Sequence, residues 1–142
     1  MNYYLQKSLS KYHKNNWNNI KTLTNTNLIK ALYCIETVHR NMVWRLFEYL
    51  YWIIFPRKYF NKRILTIGKF QVKTTYFNNE TKIQSIIYSN KIEIVDKLLY
   101  DHFPDVEWNL LSDDLLLKIV SFYNGDKTGY YFKTIKILLN SN

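Results

Sequence analysis

Glu36 is the carboxylate around which chemistry can be built in this sequence. It closes the stretch Asn27–Glu36, where Leu28, Ala31, Leu32 and Ile35 recur at i, i+3, i+4 and i+7, the spacing of one apolar helical stripe. Asn27 or Thr26 can accept a hydrogen bond from the free N–H groups of the first turn, so a cap is available. A carboxylate at a helix C-terminus faces the negative end of the dipole. Burial beside Tyr33, Ile35 and Val38 would also disfavour its charge. Both effects raise a carboxyl pKa toward the range of a general acid. A surface glutamate at a helix end would have the same sequence.

Two further groups could work beside such an acid. In Thr66–Val72, Gly68 permits a backbone conformation or a close approach that a side chain would block. Gln71 offers both a donor and an acceptor, suited to orienting a sugar or a carboxylate. A short β-turn or strand with an ordinary glutamine fits the same residues. Cys34 is the sole cysteine; this excludes an intrachain disulfide and a cysteine-based metal cluster, and reads as a small core residue. His13, His39 and His102 form no ligand-spaced set, so neither a metal nor another cofactor is expected.

The elements that must position these groups read as mainly α. Residues 1–26 read as an arm or a weakly ordered helix, whose Tyr3, Tyr4, Leu5, Leu9, Tyr12 and Trp17 could pack on the domain formed by residues 27–142. After a break at His39–Asn41, Met42–Phe55 reads as a buried helix. Trp44, Phe47, Leu50, Tyr51 and Ile54 form one stripe, and Val43, Leu46, Trp52 and Ile53 widen it nearly all round. Core or partner contact is favoured over a membrane-surface role, because surface helices usually carry a Lys/Arg face. Pro56 stops this helix. Arg57, Lys58, Tyr59, Phe60, Lys62 and Arg63 form a basic, aromatic loop, read as solvated above a cleft. A short β or irregular insertion is expected near 64–72. Thr74 or Thr75 would cap a short helix through Thr81, with more helix from Lys82 to Tyr88. Ile92, Val95, Leu98 and Leu99 mark the next helix. Ser112 caps one over Leu115–Phe122, which stops at Tyr123-Asn124-Gly125, and a final helix covers Tyr130–Leu139.

Lys and Arg number 20 against 11 Asp and Glu, a net charge of +9. That favours polyanions: nucleic acid, anionic lipid or an anionic cell wall. The basic residues are scattered rather than striped and no recognition-helix signature accompanies them, so nucleic acid is not the favoured partner. Residues 1–21 have no apolar core of a secretory leader, and Met42–Phe55 is too short to span a bilayer.

Glu36 at a helix end, Gly68-Lys-Phe-Gln-Val72, and Ser121-Phe-Tyr-Asn-Gly125 after another helix occur in the order seen in the lysozyme-like superfamily. The chain most resembles the lytic transglycosylases of bacterial cell walls, over roughly residues 27–139. The resemblance implies a lysozyme-like helical domain with Glu36 as the sole catalytic carboxylate, first acid and then base. It would cleave the glycosidic bond between MurNAc and GlcNAc in peptidoglycan, with the sugar's own C6 hydroxyl attacking to leave a 1,6-anhydro product. Thr37 stands where the family commonly has Ser. Gln71 would orient Glu36 or the glycan, Tyr123 would hydrogen-bond the Glu or the ring region, and Asn124 would hold the loop or an N-acetyl group. Thr37, Gly68, Gln71, Tyr123 and Asn124 are therefore the expected substrate-binding positions. The implied partner is a peptidoglycan strand, with peripheral membrane contact as an addition, in the cell envelope or outside the cell. Alternatives are a goose-type-like lysozyme that uses water, a peptidoglycan glycosyltransferase and a catalytically silent lysozyme-like protein. Ordinary glycosidases need a second carboxylate; Glu48, Asp101, Asp105 and Asp126 are present, with no spacing that selects one.

Overall fold

The computed structural model describes residues 2–15, 17, 19–125 and 129–141. It is mainly α, with one two-stranded insertion. The helices are α1 (Tyr3–Lys14), α2 (Thr26–His39), α3 (Met42–Ile54), α4 (Lys82–Tyr88), α5 (Ile92–His102), α6 (Asp113–Asn124) and α7 (Tyr130–Leu139). Strands β1 (Thr66–Ile67) and β2 (Val72–Lys73) pair antiparallel, with Ile67 opposite Val72.

Helix α2 is the centre. Leu28, Ala31, Leu32 and Ile35 are fully buried as the stripe predicts, and Ile29 and Cys34 are buried as well. A helix apolar nearly all round belongs inside a core, and α2 packs against α1, α5 and α7. Each such Leu or Ile contributes about 1.5–3 kcal/mol by leaving water. The helix starts earlier than expected: Asn25, not Thr26 or Asn27, accepts from the Leu28 N–H at 3.0 Å. The Asn25 amide also donates to the Trp108 carbonyl at 2.9 Å. Buried Asp96 on α5 accepts from the backbone N–H of Leu23 (2.8 Å) and Thr24 (3.0 Å) and from the Thr24 hydroxyl (2.6 Å). These bonds fix the entry to α2. The helix also runs one turn past Glu36, to His39, where Arg40 N–H still donates to the Glu36 carbonyl. Within residues 1–26, α1 packs on α2 and α7, with Tyr12 fully buried.

Helix α3 corrects the expectation of a buried apolar helix. Its buried residues are Glu48 and Trp52, while Met42, Val43, Trp44, Leu46, Phe47, Leu50, Tyr51, Ile53 and Ile54 are exposed. The inward stripe is Arg45, Glu48, Tyr49 and Trp52, again at i, i+3, i+4 and i+7. Polar bonds hold it there. Glu48 accepts from Arg40 at 2.9 Å and from Gln71 at 3.0 Å. The Trp52 indole donates to the Ser85 hydroxyl at 2.8 Å, and Tyr49 meets Asn90 at 2.9 Å. The basic loop that follows forms a 3-10 turn, Arg57–Asn61.

The hairpin turn explains its glycine. Gln71 N–H donates to the Gly68 carbonyl, and the Lys69 N–H donates to Asn90 at 2.9 Å. Gly68 has φ +81°, and a Cβ there would stand 2.4 Å from the Ser89 hydroxyl oxygen and 2.5 Å from the Ser89 carbonyl. Backbone meets backbone with no room for a methyl group. The expected helix over residues 74–81 shortens to a 3-10 turn, Thr74–Phe77. Thr81 instead caps α4 in a reciprocal box with Gln84. Ser112 caps α6 and Gly125, at φ +74°, ends it, as the sequence predicts.

Gly68→Ala combines left-handed strain with this overlap and is expected to cost about 2–4 kcal/mol. Urea unfolding should show a lower midpoint at an unchanged slope; a wild-type midpoint would show that the turn is not held against Ser89.

Candidate active site

Glu36 lies at the floor of a groove of about 300 Å³. It is supplied by the last turn of α2, and only 6% of its surface reaches solvent. The hairpin contributes Thr66, Gln71 and Lys73 to the groove; the end of α6 contributes Tyr123, Asn124 and Gly125; Arg40 and Ile64 complete the wall. The three segments that carry the family resemblance therefore each contribute to one cleft, through Glu36, Gln71 and Tyr123–Gly125.

Burial dominates the electrostatics of Glu36. Loss of water pushes its pKa from 4.5 up to about 7, and the charge of Glu48 pushes the same way. Hydrogen bonds from Tyr131 and Asn124, and the guanidinium of Arg40, oppose the shift. The Tyr131 hydroxyl donates to Oε1 of Glu36 from the first turn of α7. The Asn124 amide donates to the same oxygen at 3.5 Å. The carboxyl is thus kept near the midpoint of its titration at neutral pH, with its orientation held from two helices.

Gln71 lines the groove and ties the hairpin to α3. Its amide donates to Oε2 of Glu48 and to the Gly68 carbonyl, each at 3.0 Å, and its own oxygen accepts from Thr66 at 2.7 Å. Its backbone has φ +52°, a left-handed conformation that costs a non-glycine residue about 1–2 kcal/mol. The side-chain bonds over-determine that conformation, as the persistence of a strained backbone requires. Both Glu48 oxygens are engaged, one by Arg40 and one by Gln71.

Several expected roles change. Tyr123 lines the groove, but its hydroxyl donates to the Phe70 carbonyl rather than to Glu36. It fixes the hairpin to α6. Gly68 serves the turn packing described above and is not in the groove wall. The Thr37 hydroxyl bonds back to the Tyr33 carbonyl at 2.7 Å and does not line the groove either. Asn124 reaches the carboxyl itself. Residue 126, one of the other carboxylates considered, lies outside the described residues. Cys34 is fully buried and burial pushes its thiol up to about 11, so it stays protonated in the core.

Glu48, one of the carboxylates considered as a second catalytic group, is instead bonded to Arg40 and Gln71, and Tyr131, Arg40 and Lys73 join the site without a place in the sequence reading. Tyr131 had a signal: with Thr134, Ile135 and Leu138 it forms the buried stripe of α7. A tyrosine on such a stripe must place its hydroxyl on a partner.

Comparison of the chain with family models, curated proteins and solved structures finds no match.

The raised pKa makes Glu36 a source of pH-dependent stability. Below pH 4.5 the carboxyl is neutral in the folded and unfolded chains alike. Between 4.5 and about 7 only the folded state keeps the proton, so stability falls as pH rises through that window, by up to about 3 kcal/mol. Glu36→Gln removes the titration. Its stability should exceed that of wild type at pH 8 by about 1–3 kcal/mol, with the difference vanishing at pH 4. Parallel pH–stability curves for the two proteins would mean that Glu36 titrates normally.

Proposed function

We propose that the protein cleaves a glycan by a single-carboxylate, lytic transglycosylase-like route, with Glu36 as acid and then base. The observation that carries this reading is a desolvated carboxyl, of pKa about 7, at the floor of an open groove. A group in this range can hold a proton at neutral pH and still give it up. Protonated Glu36 would donate to the glycosidic oxygen as the bond to the anomeric carbon breaks. The resulting carboxylate would take the proton of the sugar's C6 hydroxyl as that oxygen attacks the anomeric carbon. The two transfers together return the carboxyl to its protonated form for the next cycle, and no water is consumed.

The surroundings support the one-carboxylate form over a two-carboxylate glycosidase. A second carboxylate must reach water or the anomeric carbon in the cleft, whereas Glu48 is bonded to Arg40 and Gln71 and does not line the Glu36 groove. Tyr131 and Asn124 would steady the ionised form that develops after the first proton transfer, since both donate to Glu36 Oε1. Thr66 and Gln71 offer polar groups along one wall for sugar hydroxyls or an amide. Arg40 and Lys73 give that wall a positive charge suited to an anionic wall polymer. The order of Glu36, Gly68–Gln71 and Tyr123–Gly125 agrees with the resemblance to lytic transglycosylases.

Purified peptidoglycan incubated with the protein should yield 1,6-anhydro-muropeptides, identified by mass. Glu36→Gln should reduce their release by about 10²–10⁴-fold, the usual weight of a general acid, while remaining folded. New reducing ends would assign the water-using alternative, and equal activity in Glu36→Gln would end the proposal.

The rate should fall on the alkaline side as pH rises through about 7, where Glu36 loses its proton. Tyr131→Phe removes a bond that favours the carboxylate, so its alkaline limb should move to higher pH. A limb that stays fixed in this variant would mean that Tyr131 does not act through Glu36.

A further inference from the structure

The outward face of α3 is not used by the cleft chemistry. At 100° per residue, Met42, Ile53, Leu46, Leu50, Val43, Ile54, Phe47, Tyr51 and Trp44 follow one another around an arc of about 200° with no charged or polar-amide side chain. All are exposed, Met42 to 77% and Ile54 to 70%. A groove of about 350 Å³ continues this face through Trp44, Phe47, Tyr51, Ile64 and Leu65. Arg40, Ile64 and Thr66 belong both to this groove and to the wall of the Glu36 cleft. Monomeric proteins rarely leave so broad a contiguous apolar surface in water.

The charge around it selects what covers it. Residues 37–79 hold eight of the 20 Lys and Arg but one of the 11 Asp and Glu, so this segment supplies seven of the nine excess positive charges. The single acid, Glu48, is buried and paired with Arg40. Directly after α3 come Arg57, Lys58, Lys62 and Arg63, with Lys58, Lys62 and Arg63 exposed. Tyr51, Phe55 and Tyr59 cluster beside them, Tyr51 and Tyr59 sharing a hydrogen bond at 2.8 Å. An apolar arc edged by amphipathic aromatics and cations matches the boundary between acyl chains and anionic headgroups. A second copy of this chain would bring the same positive segment face to face with itself. One partner helix would cover a stripe of roughly 100° and leave half the arc wet. Among the described residues no helix is long and apolar enough to cross a membrane, which leaves a helix lying in the interface plane.

We propose that α3 docks the protein on the surface of an anionic bilayer, its apolar arc among the acyl chains and residues 57–63 on the headgroups, so that the Glu36 cleft opens beside the membrane. Interfacial helices usually carry their own cationic face. Here that face of α3 is turned into the domain through Glu48 and Trp52, and the loop after Pro56 supplies the cations. This docking stands apart from the glycan-cleaving reading and is tested without it.

The test uses the full chain and sedimentable vesicles of phosphatidylcholine, with and without phosphatidylglycerol. Wild type should sediment with the anionic vesicles, less so as salt is raised. Leu46→Glu with Leu50→Glu changes exposed side chains only. It should keep the wild-type circular dichroism and Tm yet lose binding by at least about tenfold, since two apolar contacts become charges at the interface. Lys58→Gln and Lys62→Gln should each weaken binding to anionic vesicles by about fivefold. Failure of wild type to bind anionic vesicles at low salt overturns the proposal. Full binding by the folded double variant does so too, because adsorption would then be electrostatic alone. A dimer in sedimentation equilibrium that Leu50→Glu dissociates would assign the face to a second copy instead.

Discussion

Withdrawal of one carboxyl group from water is the constraint on which the rest of the structure turns. A buried ionised carboxylate without partners is costly, and the fold answers by partial rather than full compensation at Glu36. Tyr131 and Asn124 both donate to Oε1, and Arg40 contributes charge from the groove edge. Desolvation remains the larger effect, so the group rests near pKa 7 rather than near 4.5. Complete pairing would have made Glu36 a structural anion. The clamp of Asp96 on residues 23–24 and the Asn25 cap fix the start of α2, and the apolar packing of Ile29, Leu32 and Ile35 carries that placement along to Glu36.

The two glutamates of this region show how partners decide role. Glu48 is as buried as Glu36, at 8% and 6% exposure. It faces a guanidinium and an amide, one on each oxygen. Glu36 faces a phenol and an amide that share one oxygen, and open groove beyond. The first arrangement joins α2's end, α3 and the hairpin; it is a structural tie with both acceptors engaged. The second leaves capacity for a further bond. Gln71 links the two, since its amide holds Glu48 while its strained backbone closes the hairpin that walls the cleft.

What was legible in the sequence was local. The stripe of Leu28, Ala31, Leu32 and Ile35, the Ser112 cap and the Gly125 stop depend on neighbours within one or two turns, and each appears as read. Gly68 was legible as a conformational demand, although its reason, contact with Ser89, was not. The groove brought Glu36, Gln71, Tyr123 and Asn124 together, but roles within it shifted because hydrogen-bond partners are set by tertiary distances. Tyr131 lies 95 positions from Glu36, and no short-range pattern joins them. For α3 the apolar residues share one face as their period predicts, but that face points away from the domain. Periodicity states which side chains share a face, not which solvent the face meets. The second stripe, Arg45, Glu48, Tyr49 and Trp52, held the information, because it pairs charges with aromatics that carry hydrogen-bonding tips.

That inversion of α3 has an energetic consequence. Turning the helix over would take several large side chains out of water at about 1.5–3 kcal/mol each when fully buried, and would release Glu48 and Arg45 to solvent. Such a gain is large beside the 5–15 kcal/mol that holds a typical domain together. The observed orientation therefore needs more than the one ion pair and the Gln71 bond, which together amount to a few kcal/mol after desolvation. The tight seat of Trp52 provides part of it: its ring is packed against Phe60, its N–H is bonded to Ser85, and the cations of Arg57 and Lys82 lie about 5 Å from the ring centroid. The bilayer docking proposed for α3 would add to this by removing the cost of exposure itself. The side of α3 that builds the cleft wall and the side that faces outward are thus two results of one choice, the inward turn of Glu48.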